Sequence, residues 1–239
     1  MSKKKNKKKN QVPQKTKAQI RAEEAARAAK NKKITVIVLI SLLLVVAAIV
    51  TVCLLTSKRH KGHYYVEMTV ENYGTIILEL DAKAAPKTVR NFKRLVKQDF
   101  YDGLTFHRVI NDFMIQGGDP DANGTGGSGK TIKGEFLENG YSNPIKHERG
   151  VISMARNGSD PNSASSQFFI CNSDSYSVQN LDGKYAAFGR VIKGMNVVDT
   201  ITSVTSVYGD SNGTIYNKSL QAVITEMKLI TYKEAMNAK

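Results

Sequence analysis

The chain has 239 residues and a formal net charge of +14, which is unevenly spread. Residues 1–61 hold 16 Lys+Arg and 2 Asp+Glu, leaving 35 − 16 = 19 against 21 − 2 = 19 for the rest, so the globular part is neutral and no nucleic-acid partner is expected. The 2 cysteines, Cys53 in an apolar run and Cys171 in a distant strand-like stretch, exclude a disulfide framework.

Residues 1–33 are Lys-rich and low in complexity. The like-charge blocks Lys3–Lys5 and Lys7–Lys9 predict a largely disordered tail. Within it, Ala18–Lys30 is rich in good helix formers and reads as helical beside a membrane. Ile34–Leu55 then runs uncharged, and as a helix at about 1.5 Å per residue it spans about 33 Å, enough to cross a hydrocarbon core. Its exit, Leu54-Leu55-Thr56-Ser57-Lys58, lacks the small-x-small pattern of a cleaved signal peptide. An uncleaved transmembrane signal anchor over 34–56 is therefore predicted, with membrane lipid as its partner. Thirteen Lys/Arg precede the apolar run and three (Lys58, Arg59, Lys61) closely follow it. That asymmetry predicts a single-pass protein of the cell membrane, with a cytoplasmic N-terminus and everything after a 57–64 linker outside. The Lys cluster also offers a contact to anionic lipid headgroups.

From residue 65 to 233 the composition is that of a folded domain, with 234–239 read as a tail. Tyr65–Leu80 predicts two alternating strands around an Asn72-Tyr73-Gly74 turn. Pro86 opens a helix with Val89, Phe92, Leu95 and Val96 on one face. Thr105–Gln116 is strand-like and Asp119–Gly134 is a Gly-rich loop. Gly150–Ala155, Gln167–Asn172 and Tyr185–Val191 are short apolar strands. Met195–Thr202 reads as a helix with Val197, Val198 and Ile201 inward, and Ala222–Ile230 as a final strand. Many short strands with two helices imply a mainly antiparallel sheet, closed or nearly so, because closure removes exposed edges.

Several patterns lead nowhere. Gly124–Thr131 reads G-T-G-G-S-G-K-T, the phosphate-loop pattern, but the two glycines in the nine residues that follow make a poor helix, and the chemistry needs a helix N-terminus there. Asp119–Gly124 begins like a calcium loop, yet its twelfth position is Lys130 where a bidentate Glu is needed. His60, His63, His107 and His147 show no metal-ligand spacing, and His107, in an apolar strand, reads as a hydrogen-bonded structural histidine. Cys171 reads as packed.

Three segments mix apolar strand residues with isolated polar groups: FHRVI-x-x-FMIQGGD from Phe106, SMAR from Ser153 followed by PNSASSQFFI from Pro161, and LDGKYAAFGRV from Leu181. With NGTGG between the first two, they resemble, in order, the successive signatures of cyclophilins, and the similarity covers about Tyr65–Ile230. The resemblance implies an eight-stranded antiparallel β-barrel closed by two helices, with an active groove on its outer face and peptidyl-prolyl cis/trans isomerase activity. It implies that Arg108 is catalytic. Phe113, Met114 and Phe169 would receive the proline ring with Leu181 at the rim, Gln116 and Gln167 would hold the substrate backbone, and Ala155 would line the neighbouring surface. Three positions depart from common family residues: Asn180 stands where many members have Trp, Tyr185 where many have His, and Arg156 where others have Asn. Tyr185 and Arg156 are still expected to contact substrate.

The reaction suits this inventory. Amide rotation must overcome about 18–20 kcal/mol of resonance, and no covalent bond is made. Neither nucleophile, metal nor cofactor is needed, only a ring pocket and a donor favouring the twisted amide. The expected partners are proline-containing polypeptides exported across the membrane. A binding module of the same shape would grip such segments without turnover, and the intact Arg108 favours the enzyme.

Overall fold

The computed structural model describes residues 16–60 and 62–238, with backbone alone for residues 25, 26, 28 and 52–60. The chain divides into two compact units, Met1–Arg59 and His60–Lys239.

In the first unit, helix α1 (Lys17–His60) joins the helix-forming stretch to the apolar run without a break. No Gly or Pro interrupts Lys17–His60, and Ala, the best helix former, is its commonest residue, so nothing ends the helix at residue 33. Ala18–Lys30 is thus helical as expected, and the helix continues through residues 31–33; residues 1–15 of the expected tail lie outside the described residues. Ile37, Leu43, Leu44 and Ile49 are exposed, and α1 is the one described helix long and apolar enough to cross a membrane.

The second unit is a closed barrel of eight antiparallel strands in the order β1-β2-β7-β5-β6-β4-β3-β8. These are β1 (His63–Val70), β2 (Gly74–Asp81), β3 (Thr105–Ile110), β4 (Met114–Asp119), β5 (Val151–Met154), β6 (Phe168–Cys171), β7 (Ala187–Lys193) and β8 (Ala222–Ile230). The predicted 105–116 strand is therefore two strands. Asn111-Asp112-Phe113 folds it back, with Asp112 at φ 53°, a left-handed conformation that Asp tolerates better than most residues. The 57–64 linker is shorter than expected, since α1 ends at His60 and β1 begins at His63.

Helices α2 (Pro86–Val96) and α4 (Met195–Thr205) pack their apolar faces on the core: Val89, Phe92, Leu95 and Val96 from one, Val197, Val198 and Ile201 from the other. Phe92 meets Tyr101, Phe168 and Phe188 at ring distances of 5.0, 5.7 and 5.1 Å. The N-cap residue of α2, Ala85, supplies no side-chain cap. Glu135, buried on a distant loop, does so instead: its carboxylate accepts from the Lys87 and Thr88 amides at 3.0 and 2.8 Å and from Thr88 Oγ1 at 2.8 Å. Two further helices had no counterpart in the sequence reading. These are α3 (Tyr176–Gln179) and α5 (Tyr232–Asn237), the latter starting in a Thr231/Glu234 capping box and burying Ala235 beside Tyr65 and Ile77. Most of the expected 234–239 tail is thus helix α5.

Candidate active site

A sheet presents one set of side chains inward and the alternate set outward, so i and i+2 normally share a face. β3 breaks that rule. Phe106 pairs with Gly117 and Arg108 with Gln116, so His107 is an extra residue opposite a single step on β4. This bulge lets Phe106 enter the barrel core while Arg108, two residues on, stands on the outer face. Register then extends the outer face: Gln116 lies opposite Phe169 on β6, and Met114 opposite Cys171. Cross-strand partners share a face, so Arg108, Gln116 and Phe169 form a row across three strands.

A second apolar cluster, separate from the barrel interior, underlies this face. It contains Met114, Val151, Phe169, Cys171, Val178 and Ala187, with Phe113, Leu181 and Tyr185 packed against it. Phe113 sits on the β3–β4 turn, whose tip is pinned by Ser173 Oγ and Ser175 Oγ donating to Asp112 O, both at 2.7 Å. Leu181 follows α3, and its amide donates to Val178 O at 3.0 Å.

Above this cluster opens a cavity of about 320 Å³. Arg108, Phe113, Met114, Gln116, Ala155, Arg156, Phe169, Leu181 and Tyr185 line it, so nine residues singled out in the sequence meet at one place. Gln167 lines an adjoining cavity of about 470 Å³ that shares Gln116, Ala155 and Arg156 with the first. Asn180 lines neither; it is exposed, and its Oδ1 accepts from Lys184 Nζ at 2.8 Å.

A hydrogen-bonded chain fixes the polar side of the groove. Arg108 Nε donates to Asn212 O at 2.7 Å and its Nη1 to Gln116 Oε1 at 3.1 Å. Gln116 Nε2 donates to Gln167 Oε1 at 2.8 Å, and Gln167 Nε2 donates to Gly124 O and Gly126 O at 3.0 and 2.8 Å. The Gly-rich loop therefore serves as an acceptor for the groove. Its own amides turn to protein: Asp119 accepts from Asp121, Asn123 and Gly124 N–H, and a Cβ on Gly126 would overlap the Asp119 carboxylate. No α-helix leaves Thr131; the next helical residues are the single turn Leu137–Asn139. Among the described residues there is no cluster of His, Cys, Asp or Glu suited to a metal ion.

Burial lowers the Arg108 pKa from its ordinary value, opposed by Tyr185 and Asp210. Asp210 is held below the usual carboxylate range, chiefly by the Thr214 amide and, in smaller part, by Asn212, Tyr216 and Arg108.

The support behind Phe169 leaves no local pattern along the chain. His147 stacks on that ring at 6.1 Å, its Nδ1 lies 3.0 Å from Asp182 Oδ1 and its Nε2 3.1 Å from Ser153 Oγ. Burial lowers the His147 pKa against the opposing pull of Asp182. Burial raises that of Asp182, but bonds from the His147 amide and ring and from Lys146 outweigh it and hold the carboxyl below its ordinary value. His107 differs from expectation in the other direction. It is 1% exposed, yet neither ring nitrogen has a hydrogen-bond partner among the described residues, because the bulge aims the ring beneath the Gly124 loop.

Residues 65–224 match the family model described as cyclophilin type peptidyl-prolyl cis-trans isomerase/CLD. The chain belongs to the cyclophilin family. A peptidyl-prolyl cis-trans isomerase of Helicobacter pylori is 48% identical over 132 residues, 54% of this chain and 76% of that one. One of Acinetobacter baylyi is 43% identical over 159 residues, 65% of this chain and 81% of the other. Among solved structures, a Cryptosporidium parvum cyclophilin type isomerase superposes with a TM-score of 0.60 at 30% identity, covering 71% of this chain and 98% of its own. A second structure of the C. parvum protein, with TM-score 0.59, was obtained in the presence of the dipeptide Ala-Pro. This cyclophilin is thus a peptidyl-prolyl cis-trans isomerase.

Proposed function

We propose that the outer-face groove isomerises X–Pro bonds of polypeptides exported across the membrane and so assists their folding. The proline ring enters the cavity between Phe113, Met114, Phe169 and Leu181. The observation that carries this reading is the position of Arg108 on the wall of the cavity that Phe113, Met114, Phe169 and Leu181 also line, held by Asn212 O and Gln116. Two of the five guanidinium N–H groups are used there, leaving others to donate to the prolyl nitrogen as its lone pair localises, or to the nearby carbonyl oxygen. A donor already oriented costs no reorganisation at the moment of rotation. Gln116, Gln167 and Ala155 hold the substrate backbone, and Arg156 and Tyr185 border it. No covalent intermediate forms.

The anchoring reading is that 34–56 spans the cell membrane, the N-terminal Lys cluster meets anionic headgroups in the cytoplasm, and the isomerase domain, 65–233, lies outside. The Lys/Arg asymmetry of thirteen to three around the apolar run supports it.

The test is an isomerisation assay on the full chain in detergent micelles with a short Ala-Pro peptide, followed by exchange NMR. Catalysis that Phe113→Ala weakens several-fold is expected. Catalysis insensitive to both Phe113→Ala and Arg108→Ala would place the reaction elsewhere on the molecule.

A further inference from the structure

The two adjoining cavities share a wall whose charged member is Arg156. Of all residues lining either cavity, the charged ones are Arg108 and Arg156; no Asp or Glu is among them. The two arginines differ in their surroundings. Burial lowers the Arg108 pKa, and the Asp210 carboxylate is near enough to oppose that lowering in part. Arg156 forms no ion pair among the described residues.

Arg156 is nevertheless firmly held. Its Nε donates to Lys184 O at 3.0 Å, and its Nη1 donates to Asn157 O at 2.9 Å and Gly158 O at 3.0 Å. The guanidinium lies over the Phe136 and Tyr185 rings, 5.1 and 4.8 Å from their centroids. Every one of these partners is neutral, and Nη2 has no bond among the described residues. A guanidinium fixed by neutral acceptors keeps its full charge and loses little rotamer freedom on meeting an anion. Other polar groups of the second cavity are already engaged: Thr125 Oγ1 with Asn123, Ser163 Oγ with Asp160 O, and Gln167 Nε2 with the Gly124 and Gly126 carbonyls. Asn157 Nδ2 and the Ser165 hydroxyl donate no bond among the described residues either, but they are neutral, so Arg156 is the charged donor with unfilled capacity there.

We propose that Arg156 makes this isomerase select substrates with an acidic side chain flanking the X–Pro bond, the carboxylate entering the second cavity while the proline ring fills the first. The inference rests on the isomerase reading of the groove and adds the chemical class of client to it. Because Arg156 is partly exposed, the preference is modest, about fivefold, and salt reduces it.

The experiment uses the full chain in detergent micelles and blocked, amidated peptides with one Ala-Pro bond. Glu, Gln or Lys is placed in turn at each of two positions before and two after that dipeptide. Both kcat/KM and binding by titration calorimetry are measured. At one position Glu should exceed Gln about fivefold and Lys should fall below Gln, with the gap narrowing from about 0.05 to 0.5 M salt. Arg156→Gln should bring the Glu/Gln ratio at that position to about one, whatever it does to the Gln peptide itself, and Arg156→Lys should keep part of the ratio. Equal rates and affinities for Glu and Gln at all four positions would overturn the proposal, as would a preference unchanged in Arg156→Gln. Failure of the isomerase reading shows separately, as absent turnover of the Gln peptides, and the affinity ratio still decides the role of Arg156.

Discussion

Removing the Arg108 guanidinium is the most direct perturbation of the proposed chemistry. Arg108→Ala deletes two hydrogen bonds, one to Asn212 O and one to Gln116 Oε1. At about 1 kcal/mol net each, the fold should lose roughly 1–2 kcal/mol and persist. The amide nitrogen of Gln116 keeps its bond to Gln167, so the groove's backbone-holding side stays assembled. A preorganised donor of this kind is typically worth about 10²–10³ in rate, or about 2.7–4 kcal/mol of barrier. The catalysed rate should fall by that factor, with peptide affinity much less affected because the ring pocket is intact. Arg108→Lys should sit between, since one ammonium cannot reproduce the planar fork that spans Asn212 O and Gln116 while still facing the cavity. The assay is exchange NMR on an Ala-Pro peptide with the full chain in micelles, with near-UV circular dichroism as the check on folding. A folded Arg108→Ala or Arg108→Lys variant with the full wild-type rate would refute the reasoning.

Other predictions follow from particular contacts. Glu135→Ala leaves the Lys87 and Thr88 amides without their acceptor at a buried helix N-terminus, and should cost about 2–4 kcal/mol, read as a lowered denaturation midpoint; Glu135→Gln should cost less. His107 and His147 both have folded-state pKa values lowered by burial, so below about pH 6.5 the unfolded chain binds more protons than the native one. Their contribution to stability is present above that pH and is lost as pH falls, so Tm should drop between about pH 7 and 5, and His107→Leu should flatten part of the slope. A Tm that rises over that interval would contradict this sign. In intact cells, external protease should remove the domain from about Gly62 onward, and protection of the domain would reverse the orientation argued from the Lys/Arg asymmetry. The family resemblance implies that a Trp at position 180 helps hold the cyclic peptide cyclosporin, so the chain with Asn180 should be weakly inhibited by it and Asn180→Trp should restore part of the inhibition; tight inhibition of the unmodified chain would overturn this.

The parts of the fold that the sequence made legible are those where pattern and packing agree. Val89, Phe92, Leu95 and Val96 fall at helical spacing and are buried together, and β1 and β2 alternate as amphipathic strands do. The failures have physical causes. Thr105–Gln116 is uniformly strand-like in composition, so the reversal at Asp112 leaves little local trace, and Asn-Asp-Phe lacks the glycine that usually marks a two-residue hairpin. The bulge at His107 is invisible to any periodicity, because alternation places Arg108 on the same face as Phe106, inside the core. That Arg108 belongs to the groove came from the motif resemblance, and its outward aim comes from the register. The His147–Asp182–Ser153 bracket joins residues up to 35 apart in sequence, so no window along the chain contains it.

The placement of the groove explains how a small barrel accommodates a polar site at little cost to its stability. A buried guanidinium or unsatisfied amide inside a closed eight-stranded barrel would meet only close-packed apolar side chains. Here the barrel interior is left to Phe106, Phe168, Phe188 and their neighbours, and the site is raised on a second apolar cluster outside the wall. The one-residue bulge is what allows a single strand to serve both, sending Phe106 inward and Arg108 outward within three residues. Its cost is visible next door in His107, buried with both ring nitrogens unpartnered among the described residues. Straightening β3 would relieve His107 and turn Arg108 into the core, so the unsatisfied histidine and the outward arginine are two consequences of one backbone irregularity.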